Sequence, residues 1–317
     1  MRILVTGASG FAGRAVTAAL AKADHPVRAA ARFPAGIPSS PYVEPVYLPD
    51  LVSDIDWTSL LQDVDAVVHL AGIAHAGSDI SETQYDRVNH LATETLARAC
   101  AARKIRLVFV SSIRAQTGPA ADRVLTDADT PQPDDAYGRS KLAAENAVRH
   151  SGADFTILRP VVMYGHDVKG NVATLLRLAD TPLPLPFAGF QNQRSLLALD
   201  NLVSSISFAL SEPSTLGETY IVADETPVSL AGMIETLRRA LQRDARLFAL
   251  PPVLLQSALR AIGKGGLWER IGGGLAASAA KLRTAGWRPV IDTPAGLAAM
   301  AQAASPRKSG TASRNTP

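Results

Sequence analysis

Residues 2–23 read RILVTGASGFAGRAVTAALAKA. A short β-branched apolar run, Ile3 to Thr6, passes directly into Gly7-Ala8-Ser9-Gly10-Phe11-Ala12-Gly13, and an amphipathic segment with helical spacing follows. Glycines at these places let a turn tighten, let backbone approach a pyrophosphate, and aim the free N–H groups of a helix start at that anion. Strand, glycine turn and helix in this order are the context that a dinucleotide-binding motif requires, so Gly7, Ser9, Gly10, Phe11, Ala12 and Gly13 are candidate cofactor contacts.

Further apolar runs recur at PVRAAA, YVEPVYL, AVVHLA, RLVFVS and FTILR, separated for the most part by helix-like stretches. The alternation predicts parallel strands. Runs such as AVVHLA are apolar throughout, as expected where helices cover both faces of a sheet. The expectation is an α/β fold: a Rossmann-type doubly wound parallel sheet over residues 1–165, followed by a smaller α+β substrate lobe over 166–304. Beyond residue 160 the texture turns to Pro/Gly-rich loops, DTPLPLPFAGFQNQ for example, mixed with short strands such as RSLLAL and TYIVA. Residues 305–317, SPRKSGTASRNTP, are polar and basic without periodicity and read as a disordered tail.

The bulk figures bound the function. The chain has 317 residues and 47% apolar composition, enough for a full core. Its net charge is only +3, with the arginines scattered, which argues against a nucleic-acid partner. No run of eighteen uncharged apolar residues occurs, and the N-terminus lacks a secretory pattern, so a cytoplasmic protein without membrane insertion is expected. The lone Cys100 cannot form an internal disulfide and reads as a packed side chain; no Cys/His cluster points to a metal.

Other strand ends carry chemistry. After VRAAA comes Arg32, with no acid where a ribose 2'-hydroxyl would be held; a guanidinium there suits a 2'-phosphate, so NADP(H) is preferred and NAD(H) stays open. Asp50 and Leu51, after YVEPVYL, are placed to flank an adenine, and Leu70, Ala71 and Gly72 of HLAG end the fourth strand where backbone must pass near a cofactor. VFVSSIRA, ending the fifth strand, offers Ser111 and Ser112. DDAYGRSKLAAE, residues 134–145, sets Tyr137 and Lys141 four apart on one helix face. A phenol that gives or takes a proton, a cation that lowers its pKa and a hydroxyl that holds the reacting oxygen together suit hydride-transfer chemistry.

Taken in order, TGASGFAG, HLAG, VNHLATETL, YGRSK, LRPVVMYG and KLRTAGWRP resemble the extended short-chain dehydrogenase/reductase family over residues 1 to about 300. The resemblance implies Ser112 as the substrate-orienting hydroxyl, Tyr137 as acid/base and Lys141 as the group that holds the nicotinamide ribose and tunes Tyr137. It also places Asn89 and Pro160 beside the cofactor. QNQRSLLALDNLV resembles the nucleotide-sugar branch, which makes Arg194 a candidate diphosphate clamp for a UDP-sugar. The bland alternative for it is an ion pair with Asp200. Asn171 and Phe187 are weaker candidates, an amide partner and an apolar wall for the uracil, and Phe187 could equally be core of the smaller lobe.

Within that branch SSIRAQTG is similar to bacterial UDP-N-acetylhexosamine 4-epimerases and 4-ketoreductases that supply surface polysaccharide. The implied activity is reduction of the C4 ketone of a UDP-4-keto-6-deoxy-N-acetylhexosamine, with C4 epimerisation of a UDP-hexose as the alternative. A dehydratase is disfavoured because no Asp-Glu pair follows the serine, and a non-catalytic cofactor-binding member because Tyr137 and Lys141 are both present. The alanine-rich helices TETLARACAAR and KLAAENAVRH permit a homodimer.

Overall fold

The computed structural model describes residues 1–74, 80–168, 170–261, 263 and 273–304, so the expected disordered tail at 305–317 lies outside the described residues. Strands β1 (Ile3–Thr6), β2 (Val27–Ala31), β3 (Val43–Tyr47), β4 (Ala66–His69), β5 (Arg106–Val110), β6 (Phe155–Pro160) and β10 (Glu218–Val222) form one sheet. Its order is β3-β2-β1-β4-β5-β6-β10, and every pairing is parallel. The strand order reverses between β1 and β4, which opens a crevice at their carboxyl ends. Edge strand β3 carries Pro45, whose missing N–H is tolerated where no further strand pairs.

Helix α1 (Phe11–Lys22) buries Gly13, Val16, Thr17 and Leu20, a spacing that lays one stripe on the sheet. On this face Val16 and Leu20 share a cluster with Leu202, Ile206 and Ala209 of α6 (Leu199–Ser211). The opposite face is covered by the run α2 (Glu82–Tyr85), a π turn (Asp86–Leu91) and α3 (Ala92–Arg103), and by α4 (Ala136–His150). Leu96, Ala97 and Cys100 of α3 and Ala144 and Val148 of α4 pack there with Phe109 and Ile157. Burial pushes the Cys100 thiol up to about 12, which makes it an inert packed group, as its setting in the sequence suggests.

The smaller lobe is built from β7 (Val162–Tyr164), α5 (Gly170–Ala179), β8 (Gln193–Arg194), β9 (Leu196–Ala198), β11 (Val228–Ser229), α7 (Leu230–Ala240), α8 (Pro252–Ala261) and α10 (Thr293–Ala304), while α9 (Ala280–Thr284) packs on the sheet, its Leu282 in one cluster with Val222 of β10. β7 pairs with β9 and β8 with β11. Its core joins Phe187 and Phe190 to Ile234 and Leu237 of α7 and to Leu297 and Met300 of α10. A buried hub locks it to the sheet: the Asp224 carboxylate accepts from Ala198 N, Asn201 Nδ2, Tyr164 Oη and Thr293 Oγ1 at 2.7–3.1 Å.

The expected division at residue 165/166 needs correction, because the first unit is not contiguous in sequence. β10 pairs with β6, Tyr220 opposite Leu158, and α6 packs on α1. The physical reason is visible in TYIVA, which is apolar on consecutive residues like a strand covered on both faces, and in the i, i+4, i+7 stripe Leu202, Ile206, Ala209.

At Gly13 an added Cβ would stand 2.1 Å from the Gly7 carbonyl oxygen and 2.8 Å from Ala8 Cα, both backbone atoms that cannot swing away. Gly13→Ala should therefore cost roughly 1–3 kcal/mol in urea unfolding, through overpacking of the α1–β1 junction. A variant as stable as the parent would show that this junction yields.

Candidate functional site

The glycine turn is a cradle shaped by close approach. Gly7 has φ +71, and a Cβ there would lie 2.8 Å from Ala71 N, so the β1 and β4 ends almost touch. Gly10 begins α1 with no side-chain cap, which leaves the first N–H groups of that helix free toward the crevice. Compact backbone and unsatisfied donors fit a pyrophosphate, and these residues could hold a dinucleotide.

From Ala71 a chain of hydrogen bonds runs down the crevice. Ala71 N donates to Thr6 Oγ1 at 3.3 Å, Thr6 Oγ1 lies 2.7 Å from His69 Nδ1, and His69 Nε2 lies 3.0 Å from Thr93 Oγ1. Thr93 spends its proton on the Asn89 carbonyl at 2.7 Å. His69 Nε2 must then donate to Thr93, and Thr6 must donate to Nδ1, which fixes the tautomer. Complete burial and the nearby Lys141 cation lower the His69 pKa to about 3, so the ring is neutral.

Asn89 lies in the π turn, an irregularity that often marks functional helices. Its Oδ1 accepts from Ile73 N at 2.8 Å, and its Nδ2 donates to Ile73 O at 3.0 Å and to Ser140 Oγ at 3.1 Å. Ser140 in turn donates to the Tyr137 carbonyl at 2.8 Å. The loop after β4 is thereby pinned to the first turn of α4. A Cβ on Gly72 would stand 2.7 Å from Asn89 Oδ1 and 3.9 Å from Lys141 Nζ, which measures how closely these parts converge.

Tyr137 and Lys141 are buried on the same face of α4, 9% and 6% exposed. The Lys141 ammonium donates to the Val110 carbonyl at 3.2 Å and stands 4.8 Å from the Phe109 ring centre. Burial lowers its pKa to about 8, with Glu145 opposing, so at neutral pH it is still mostly protonated. Ser112 hydrogen-bonds the Tyr137 phenol. Burial nonetheless holds that phenol above the usual tyrosine range, with Ser112 and Arg114 pulling it down and Asp135 and Tyr85 pushing it up. A neutral phenol, a hydroxyl beside it and a cation one turn away can deliver or remove a proton at an oxygen held between the two hydroxyls.

Beneath this set lies a buried ion pair. Arg159 donates from Nε to Glu145 Oε1 at 2.9 Å and from Nη2 to Oε2 at 2.6 Å, while Ser111 Oγ donates to Oε1 at 2.7 Å. Arg159 Nη1 also reaches Gln116 Oε1 at 3.0 Å. Sequence reading singled out none of Thr6, His69, Glu145, Arg159 or Gln116. Polar residues in otherwise apolar strands, His69 in AVVHLA and Arg159 in FTILR, were the available signal.

The structure brings Gly7, Gly10, Gly13, Ala71, Gly72, Asn89, Ser112, Tyr137 and Lys141 to one crevice. Arg32 and Asp50 meet each other at 3.8 Å, both exposed, near its far end. Leu51 is buried in the core with Leu48 and Trp57, and Pro160 ends β6. The substrate candidates are less convergent. Phe187 takes the core alternative: its ring stacks edge-on to Phe190 at 5.6 Å inside the lobe core. Asn171 is exposed at the start of α5. Arg194 is half-buried and donates to the Gly273 carbonyl, as Asn192 Nδ2 does at 2.7 Å; no Arg194–Asp200 ion pair forms among the described residues. No group of three His, Cys, Asp or Glu among the described residues could hold a metal ion, and no described helix is long and apolar enough to cross a membrane.

The neutral His69 makes a pH prediction. Its pKa falls from 6.5 to about 3 on folding, so its contribution is fully present above pH 6.5 and is lost as pH drops toward 3. His69→Gln should remove on the order of a few kcal/mol of acid sensitivity over that window, read from urea unfolding at stepped pH. Equal slopes for parent and variant would contradict a neutral buried ring.

Comparison with known proteins agrees with this fold. The model of the NAD dependent epimerase/dehydratase family matches residues 3–223. A Vibrio cholerae protein named UDP-glucose 4-epimerase is 31% identical over 313 residues, covering 95% of this chain and 94% of that one. The 2'-dehydrokanamycin reductase of Streptomyces kanamyceticus is 30% identical over 261 residues, 79% of this chain and 70% of its own. The UDP-glucuronic acid 4-epimerase of Bacillus cereus, solved with NAD, shares the fold: TM-score 0.75, 23% identity, and 96% of each chain covered. With the strand order, glycine cradle and Tyr137/Lys141 helix in place, the chain belongs to the NAD dependent epimerase/dehydratase family, enzymes of the extended short-chain dehydrogenase/reductase type.

Proposed function

We propose that this protein is a nucleotide-sugar 4-epimerase that uses NAD and inverts C4 of a UDP-hexose. The observation that carries the reading is likeness along nearly the whole chain, substrate lobe included, to the Vibrio cholerae UDP-glucose 4-epimerase. The Arg32–Asp50 pair supports NAD over NADP, because a carboxylate 3.8 Å from the guanidinium offsets the charge that a 2'-phosphate would need. The cytoplasmic location expected from the sequence goes with a UDP-sugar substrate.

Bound NAD would supply the hydride acceptor and donor for the sugar C4. Gly7, Gly10 and Gly13 would seat its pyrophosphate and Lys141 its adjoining ribose. Ser112 holds the sugar O4, and Tyr137 Oη takes the O4 proton as C4 is oxidised. The proton returns from Tyr137 after the keto sugar has turned over. Lys141 and the Ser112 hydroxyl favour the phenolate during that interval. Arg194, with no carboxylate partner among the described residues, is available to grip the diphosphate, and Asn171 to meet the nucleotide.

A second reading, reduction of a UDP-4-keto-6-deoxy-N-acetylhexosamine, is favoured by the similarity to the Streptomyces reductase and uses the same residues. The two differ in the fate of the hydride. An epimerase keeps it on board and should purify with close to one NAD per chain, released on denaturation; a site that arrives empty and takes NADPH would sink the epimerase reading. In either case Tyr137→Phe should lower turnover by about 10²–10⁴ while the protein still binds NAD. Retained turnover would remove Tyr137 from the chemistry.

A further inference from the structure

We infer that Arg114 is a positioning residue that sets both the spacing and the charge balance between the Ser112 loop and the Tyr137 helix. This rests on the assignment of Tyr137 as acid/base and goes beyond it. After β5 the chain makes a short 3-10 turn, Ile113–Ala115, and three parts of Arg114 reach in different directions. Its N–H donates to Ser112 Oγ at 3.1 Å. Its carbonyl lies so close to the first turn of α4 that a Cβ on Gly138 would stand 2.3 Å from it. Its Nη2 donates to Asp134 Oδ1 at 3.0 Å and to Asp135 Oδ2 at 2.7 Å.

Asp135 is the N-cap of α4, its other oxygen accepting from Gly138 N at 2.7 Å. One carboxylate is thus shared between the cap of the catalytic helix and the guanidinium that ties it to the serine loop. The Arg114 side chain is only 16% exposed, so solvent screens this pair weakly. Its Nη1 is buried with no hydrogen-bond partner among the described residues.

The groups facing Tyr137 are the Ser112 hydroxyl from the end of β5, Asp135 from its own helix, Tyr85 from α2, Arg114 from the 3-10 turn, and Lys141 one turn along α4. Asp135 opposes ionisation of the phenol and Arg114 favours it. Removing the guanidinium leaves the carboxylate uncompensated beside the phenol. A lysine keeps the charge but loses the planar fork that spans Asp134 and Asp135.

The test is a titration of Tyr137 in NAD-loaded protein, following phenolate absorbance for each form minus its Tyr137→Phe counterpart. Arg114→Met should raise the Tyr137 midpoint by about one pH unit, and Arg114→Lys should leave it near the parent value. Adding Asp135→Asn, which keeps a capping side chain, should bring the Arg114→Met midpoint back. Asp135→Asn alone should lower it, which keeps the inference testable if Arg114→Met does not fold. With substrate, Arg114→Met should lower kcat about tenfold at neutral pH with KM within about twofold. An unmoved midpoint in a folded Arg114→Met protein, or in Asp135→Asn, overturns the inference, and so does a raised KM with no shift, which would make Arg114 a substrate contact. The titration contains no sugar, so it stands or falls separately from the epimerase reading.

Discussion

The Glu145–Arg159 pair is the interaction on which the site depends. Glu145 is fully buried in α4 and Arg159 is 3% exposed in β6, so neither charge could be tolerated there alone. Together they use two parallel N–H···O bonds, and the remaining valences go to Ser111 at the end of β5, to Arg149 one turn along the helix, and to Gln116. Gln116 in turn donates to the Thr126 carbonyl at 2.6 Å, which secures the segment crossing the sheet toward α4. Such a pair adds little net stability compared with apolar residues of the same volume. It ties α4 to the end of β5 through Ser111 and to β6 through Arg159, in the packing that buries Tyr137 and Lys141.

The pair also bears on the charge of Lys141. Glu145 is at i+4 from the lysine, the usual place for a helix ion pair, yet its oxygens are taken by arginines and a serine. Lys141 instead bonds the Val110 carbonyl and lies near the Phe109 ring. Its pKa, lowered to about 8, leaves the amine charged at neutral pH but not locked into a salt bridge. A cation held by a carbonyl and an aromatic ring can still serve a ribose or a phenolate.

Local features were legible in sequence. The strand, turn and helix of residues 2–23, the six strand runs and the i, i+4 pair of α4 depend on neighbours in the chain, and the structure has them where the pattern puts them. The polar networks were not, because their members lie far apart: Thr6 meets His69 across 63 residues and Tyr164 meets Asp224 across 60. The return of β10 and α6 to the first unit is written in their own apolar runs, TYIVA and the stripe Leu202, Ile206, Ala209, but a division of the chain at one point cannot express it. Phe187 shows a different limit. The PLPFAG loop leaves both a wall and a core position open to its phenylalanine, and the ring turns inward against Phe190, since loop texture reports the backbone and not the ring.

The phenol of Tyr137 brings these threads together. Burial keeps it above the usual tyrosine range, so in the protein alone it is a proton donor and not a base. That is the state a ketone reductase needs at the moment of hydride delivery, and the wrong state for starting the oxidation of a hydroxyl. For epimerisation the phenol would have to lose its proton, and positive charge favours that: Arg114 beside it pulls its pKa down, and a bound oxidised NAD would add a cationic ring. An epimerase of this geometry would need Tyr137 as phenolate when C4 loses its hydride and as phenol when C4 regains it. The same fixed residues can then serve both halves of an epimerisation.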